Sequence, residues 1–441
     1  MNQKGFEIKK NTKTPFIGFF PCFYSMGETI PLIKIAKSYM DLGGKAVFFS
    51  HRGEYEYLAE DIGCRVVRLN DILEGLSDEG KEMFKGGASL TKTIIKIYSK
   101  KNTEKLVSEE INAFTNAGID LIVSSFNLTC SISSRATNIP SVVIASGTTI
   151  PPYYESGLLT FPDGMENFFT KRIPSTLKNE FAKWLLLKNK MLVRTFNKVA
   201  KKYQVQPFKY FNDIVLGDHT FVCDDIKFLG INPSEQFPIE NFIGPIIGGD
   251  LFQGQKKKID PDIENHLKQP GKSIVILMGS TGVKDLFLKI VETLNQTNYN
   301  VIAVYTNLLD KDSLPKTNEN ILLKEYVPFY EVSKLVDLAI IHGGRGTIYE
   351  LAYSGKPAIC IPLFLEHQGN IDNLVRNNSA IKLSEKFFKP EKLLEFVNEI
   401  FTNYDTYLNN AQNLAKKLQK ESGEKKAVKR LVEISQLKHV E

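Results

Sequence analysis

Residues 337–370, DLAIIHGGRGTIYELAYSGKPAICIPLFLEHQGN, constrain the fold more than any other stretch of this chain. The apolar run Leu338–Ile341 is short and unbroken, the pattern of a parallel strand buried on both faces. His342, Gly343, Gly344 and Gly346 follow, a turn in which backbone can come close to a ligand. Thr347 and Glu350 stand three apart ahead of a helical pattern at Leu351 and Ala352, and read as a capping box. Strand, glycine turn and helix start together make an anion site, because unpaired N–H groups and the positive end of the helix dipole converge there. A second run at 358–362 follows Gly355 and Pro357. It leads into Glu366-His367-Gln368-Gly369-Asn370, read as a polar loop at a strand's carboxyl end, where open α/β sheets bind ligands.

The same rhythm recurs along the chain. Residues 16–20 are an apolar run, 31–42 carry apolar side chains at helical spacing (Leu32, Ile35, Ala36, Tyr39), and Gly43-Gly44 ends that helix. Further strands are predicted at 46–49, 66–69, 121–123 and 142–145, the last followed by the turn Ser146-Gly147-Thr148-Thr149. In the second half, 273–278 is a buried-strand run closed by Gly279-Ser280-Thr281-Gly282, and 301–305 is another. Helices are predicted at 391–401 and 407–437. Strand and helix in alternation predict doubly wound α/β structure. At 441 residues the chain exceeds what one core serves well, so two units are expected. The first spans 14–245 and the second 263–420. The linker at 246–262 is marked by Gly248-Gly249 and Gln255-Lys256-Lys257-Lys258.

Composition excludes several classes. A net charge of +6 is too mild for a nucleic-acid binder, though it suits a phosphorylated substrate or an anionic membrane surface. The five cysteines are scattered without a CxxC and the six histidines form no HExxH, which predicts a reducing compartment and no metal site. Neither a signal-peptide core nor a run of about 20 apolar residues is present, so the expected location is cytoplasmic or peripheral on the inner face of the membrane. Residues 167–203 read as helical, basic and aromatic. Such a stretch either packs on its own domain or lies on an anionic membrane.

The segment 337–370 resembles the donor-binding signature of the inverting nucleotide-sugar glycosyltransferases of the GT-B fold. That group includes the UDP-glycosyltransferases, the macrolide glycosyltransferases and the enzyme that adds N-acetylglucosamine in peptidoglycan synthesis. His342, Gly346, Thr347, Glu350, Gly355, Pro357, Pro362, Glu366 and Asn370 fall at the family's spacing. The resemblance implies that His342, Gly343, Gly344 and the Gly346/Thr347 backbone hold the diphosphate, that Glu350 binds the ribose, and that Glu366 accepts hydrogen bonds from the sugar. His367 stands where the family usually has Gln. The turn Gly279-Ser280-Thr281-Gly282 would face the phosphates from across the cleft. Tyr326-Val327-Pro328 resembles the family's Trp/Tyr-x-Pro step, with Tyr326 either stacked on the nucleobase or simply buried in the core.

In the first half, Gly27-Glu28-Thr29-Ile30-Pro31-Leu32 resembles the family's Gly-His-x-x-Pro-Leu loop, with Glu28 in the place of the His that serves many relatives as general base. A carboxylate can do that work if burial raises its pKa. The other reading is that Glu28 caps a helix starting near Ile30. Ser124-Ser125 occupy the place where relatives carry an orienting Asp. The resemblance thus implies two Rossmann-like α/β domains facing across a cleft, an N-terminal acceptor domain and a C-terminal donor domain. A tail helix at about 420–441 would cross back to the first. It also implies hexosyl transfer from a UDP-sugar (or TDP-sugar) co-substrate to an acceptor hydroxyl, with no metal and no other cofactor; the basic, aromatic stretch between Phe168 and Phe196 suggests a lipid-linked acceptor, with a hydrophobic small molecule as the alternative. Two other classes fit the same residues: a binding or scaffold protein without turnover, and a nucleotide-sugar 2-epimerase, which would need further carboxylates.

Overall fold

The computed structural model describes residues 14–74, 76, 90–248, 259–279, 282–306, 308–418 and 422–437. Ser280, Thr281, Gly249 and the run 255–258 lie outside the described residues.

Among the described residues, twelve strands form two six-stranded sheets, parallel throughout. The first contains β1 (Phe16–Pro21), β2 (Lys45–Ser50), β3 (Val66–Arg68), β4 (Leu121–Ser125), β5 (Ser141–Ala145) and β6 (His219–Val222), in the order β3-β2-β1-β4-β5-β6. The second contains β7 (Ser273–Leu277), β8 (Asn300–Val304), β9 (Ile321–Lys324), β10 (Leu338–Ile341), β11 (Ala358–Cys360) and β12 (Ala380–Lys382), in the order β12-β11-β10-β7-β8-β9. Each sheet grows outward from its first strand and then continues on that strand's other side. The direction of growth reverses between β1 and β4, and again between β7 and β10. Crevices at the carboxyl ends of such pairs are where doubly wound sheets hold ligands.

The strands are apolar because helices cover both faces. All four residues of β10 are buried, and the second sheet lies between two apolar clusters. In the first sheet, the helix Met26–Asp41 buries Leu32, Ile33, Ile35, Ala36 and Tyr39 on β1 and its neighbours. The helix Gly423–Leu437 contributes Ala427, Val428, Leu431, Val432 and Ile434 to that same cluster. A segment that follows the second sheet in sequence therefore completes the core of the first.

Four expectations change. Residues 366–370 are not a loop but open the helix Leu365–Arg376; Gly369 lets that helix meet Thr148, whose Cβ would stand 2.8 Å from a Cβ added there. The helix around Pro31 begins at Met26, before the proline. The stretch 167–203 is not one helix: Ser175–Leu187 and Val193–Lys202 are separated at Leu192, which takes a left-handed conformation. The predicted 407–437 helix divides into Tyr404–Lys417 and Gly423–Leu437. Strands β6, β9 and β12 carried too weak a pattern to be read; β9 and β12 are short edge strands, half-buried over most of their length.

Leu431 is fully buried in the shared cluster. Leu431→Ala should cost about 2–5 kcal/mol in urea unfolding; a cost below about 0.5 kcal/mol, typical of a surface site, would show that the tail helix does not share this core.

Candidate functional site

His342 leaves the carboxyl end of β10 and is only 4% exposed. Its ring bonds the Leu277 backbone at the end of β7, Nδ1 has no partner, and burial pushes its pKa down to about 4. It is a neutral ring. Both glycine turns close over it: a Cβ on Gly279 would stand 2.3 Å from its Cε1, and one on Gly344 2.7 Å from its Nε2. Gly279 has φ +61, and Gly282 N–H bonds its carbonyl at 3.3 Å. His342 therefore shapes the two turns from beneath.

The helix that follows, Arg345–Ser354, is capped by Gly344. Its first intrahelical bond runs from Ile348 N–H to Gly344 O, 2.9 Å. The N–H groups of Arg345, Gly346 and Thr347 precede that bond and open toward the cleft end of the helix. The Thr347–Glu350 capping box is thereby corrected, since both residues lie inside the helix. Glu350 is half-buried, and burial pushes its pKa up to about 7. Tyr326 is 40% exposed and feels the Glu350 charge, so it is no core ring, whereas Val327 beside it is buried.

The helix Leu365–Arg376 supports this turn. His367 is buried edge-on to His342, with ring centroids 4.8 Å apart, and packs on Phe364 at 3.6 Å. Asn370 donates from Nδ2 to the Gly343 carbonyl, 3.1 Å, and accepts from the Thr148 hydroxyl of the first half, 3.4 Å. Both lie beneath the turn, while Glu366 is half-buried and within electrostatic reach of Glu28.

Glu28 sits in the first turn of the helix Met26–Asp41, after β1. Three residues on, Pro31 has no N–H to give the carbonyl of Gly27, its partner four residues back. That free carbonyl is taken across the cleft: Arg345 Nη2 donates to Gly27 O at 2.9 Å. The Glu28 carboxyl stands in the first turn of its helix, where the dipole favours a negative charge, so both readings of it fit this place. Burial raises its pKa to about 7, the charge of Arg345 opposes that rise, Glu366 adds to it, and a hydrogen bond from Ser125 opposes it. The Ser125 hydroxyl also donates to the Glu28 backbone carbonyl, 2.8 Å. Ser125 thus stands beside Glu28 in the position expected of the missing Asp.

Two residues of this constellation were not picked out in the sequence, Arg345 and Asp224. Asp224 follows β6, is 1% exposed, and is pushed up to about 6 by burial. It accepts from Gly147 N–H at 2.6 Å and from the Tyr349 hydroxyl, which in turn accepts from Asp225 N–H at 2.8 Å. An Asp pair closing an apolar run, and a cation at a helix start where the dipole favours anions, were the signals available.

Both carboxyl edges thus face one cleft, and known structures share the arrangement. The glycotransferase of kitacinnamycin superposes with a TM-score of 0.65 at 16% identity, covering 96% of this chain and 100% of that one. The glycosyltransferase VinC in complex with DTDP gives 0.62 at 12% identity, covering 95% and 100%. The chain has the GT-B fold, two α/β domains facing across a cleft. Within it, residues 273–431 match the glycosyltransferase family 28 C-terminal domain. The UDP-N-acetylglucosamine--N-acetylmuramyl-(pentapeptide) pyrophosphoryl-undecaprenol N-acetylglucosamine transferase of Bacillus cytotoxicus is 31% identical over 160 residues, 33% of this chain and 44% of the relative. The match spans less than half the length of that relative.

Gly344 has an ordinary backbone, so the His342 ring alone opposes a side chain there. Gly344→Ala should cost about 1–3 kcal/mol by overpacking. In a His342→Ala background most of that cost should vanish. Strictly additive costs in urea unfolding would show that the ring does not underlie the turn.

Proposed function

We propose that the protein is an inverting glycosyltransferase that moves a hexose from UDP to an acceptor hydroxyl, with Glu28 as the base. The observation that carries this reading is the pairing of two unlike groups across one cleft. A carboxyl held near neutrality by burial faces a helix start with unpaired N–H groups and an arginine. Glu28 takes the acceptor's proton as its oxygen bonds to the anomeric carbon. The bond from that carbon to the diphosphate breaks, and its electron pair leaves with the phosphate oxygen. The growing charge there is met by the N–H groups of 345–347, the Arg345 guanidinium and the Gly279–Gly282 turn. These groups supply the positive charge, so the reaction needs no metal in this reading. Glu350 binds the ribose and Tyr326 stacks on the base; Glu366 orients the sugar. UDP is favoured over TDP because the named sequence relative uses UDP-N-acetylglucosamine, although VinC holds DTDP.

The acceptor reading rests on the segment before β6. Of the 167–203 stretch, Val193–Lys202 packs inward through Val193, Phe196, Val199 and Ala200. Ahead of it, Phe168 (66% exposed), Phe169 (76%), Leu177, Phe181 and Trp184 (59%) face outward among Lys171, Arg172 and Lys183. Among the described residues no helix is long and apolar enough to cross a membrane. Exposed aromatics interleaved with cations suit the headgroup region of an anionic bilayer. In this reading the protein is peripheral and draws a lipid-linked acceptor from that surface.

Calorimetry with UDP and TDP, followed by consumption of UDP-sugars with lipid-linked and small hydrophobic acceptors, tests the first proposal. Glu28→Gln should keep UDP affinity while lowering turnover about 10²–10⁴-fold. The wild-type kcat/KM for the donor, which reports the free protein, should climb as pH rises through about 7, because Glu28 is a base only once its proton is lost. Unchanged turnover in Glu28→Gln would remove it as the base. The surface reading is tested with vesicles: flotation with phosphatidylglycerol should exceed that with phosphatidylcholine, and Phe168→Ser/Phe169→Ser/Trp184→Ser should abolish it. Equal flotation of the triple variant would sink that reading.

A further inference from the structure

The proposed mechanism uses Arg345 only as one of several positive groups, yet its surroundings are more specific than that role needs. Arg345 is the first residue of its helix, where the dipole disfavours a cation. It is half-buried and points away from its own domain. Its hydrogen-bond acceptor is a carbonyl freed by Pro31, a built receptor in the other domain. Carboxylates from three separate elements lie within its electrostatic reach. They are Glu28 on the Met26–Asp41 helix, Asp224 after β6 and Glu366 on the Leu365–Arg376 helix; the Cys223 thiol is also close.

We propose that Arg345 is a positioning residue shared between the two halves. In the free protein it holds the Gly27–Glu28 turn against the donor helix; when a nucleoside diphosphate docks on that helix start, its phosphates compete for the guanidinium. Donor binding is thereby coupled to the charge on the base. The diphosphate brings negative charge to the one nearby cation that stabilises ionised Glu28, so Glu28 takes up a proton as the donor binds. Among the described residues, the groups facing Glu28 are Arg345, Glu366, the Ser125 hydroxyl and the Cys22 and Cys223 thiols. Arg345 is the single cation in that set. The same exchange makes the ionised Glu28 carboxylate a stronger base but a scarcer one, so turnover with the donor bound rises with pH only above the range in which Glu28 of the free protein loses its proton.

This rests on the donor-site reading, and one experiment separates the two. UDP and TDP are titrated calorimetrically into the full chain in two buffers of different ionisation enthalpy, slightly above neutral pH, with Arg345→Ala, Arg345→Lys and Glu28→Gln beside wild type. Wild type should bind with net proton uptake. Arg345→Ala should bind about ten- to a hundredfold more weakly, the loss of one charge-assisted contact, and take up no proton. Arg345→Lys should recover part of both, and Glu28→Gln should lose the uptake while keeping affinity. A guanidinium that is only a structural brace would lower thermal stability in Arg345→Ala but leave affinity and proton uptake unchanged; that result overturns the proposal and leaves the donor site standing. Failure of wild type to bind either nucleotide overturns both.

Discussion

The cleft depends on a hydrogen bond that one proline makes available. A helix interior normally consumes its carbonyls, and Pro31 leaves that of Gly27 unspoken for at the mouth of the first domain. Arg345 from the second domain fills it. The bond comes from a charged donor, is open to solvent, and joins residues far apart in sequence. Further contacts hold the same faces together, two of them beside the site. The Tyr349 hydroxyl lies between Asp224 and Asp225, and Gly369 admits Thr148 against its helix. Replace the proline and a backbone N–H competes with Arg345 for that carbonyl, although every strand would remain in place.

These contacts create an electrostatic problem that is also the site's usefulness. Glu28, Asp224 and Glu366 crowd one arginine. Burial penalises ionisation of Glu28 and Asp224, and each holds the proton more tightly than it would in water. A structure built only for stability would pair these charges one to one or replace them with apolar side chains. Here the imbalance persists around the point where a helix start offers unpaired N–H groups. His342, by contrast, contributes no charge. Its neutral ring, edge-on to that of His367, lies under the Gly279 and Gly344 turns and fixes how closely backbone can approach a ligand.

Much of this was legible in the chain, and the reasons are physical. Buried parallel strands declare themselves as short apolar runs, and a glycine turn between strand and helix survives in sequence because few residues can replace it. β1, β2, β7 and β10 were readable on those grounds. β9 and β12 were not, because an edge strand is half-buried and has no strict alternation. The fate of 366–370 was misread because Glu, His, Gln, Gly and Asn look like a loop by composition; burial against Thr148 and the first domain turns them into helix. Arg345 and Asp224 carry only faint local signals, for a different reason. Their roles arise from partners in the other domain, and no local pattern encodes a contact across a cleft.

The exposed aromatic segment is tied to the chemistry by the same helix. Gln368, two residues from Glu366, donates to the Thr160 hydroxyl at 2.6 Å and to Phe161 O at 2.9 Å, and accepts from Asp163 N–H at 2.8 Å. Lys386 donates to the Glu166 carbonyl, and the Lys171 ammonium sits 3.3 Å from the centroid of the Phe387 ring. The stretch that carries Phe168 and Phe169 belongs to the first domain by sequence, yet the second domain holds it in place. Relative motion of the two domains must therefore either carry this surface along or break these bonds. A partner that grips Phe168, Phe169 and Trp184 would bias that motion, since it favours whichever arrangement presents them together. In the reading proposed above, the bonds from Gln368 fasten the outward aromatic face to the helix that also bears Glu366, so a shift of one is transmitted to the other.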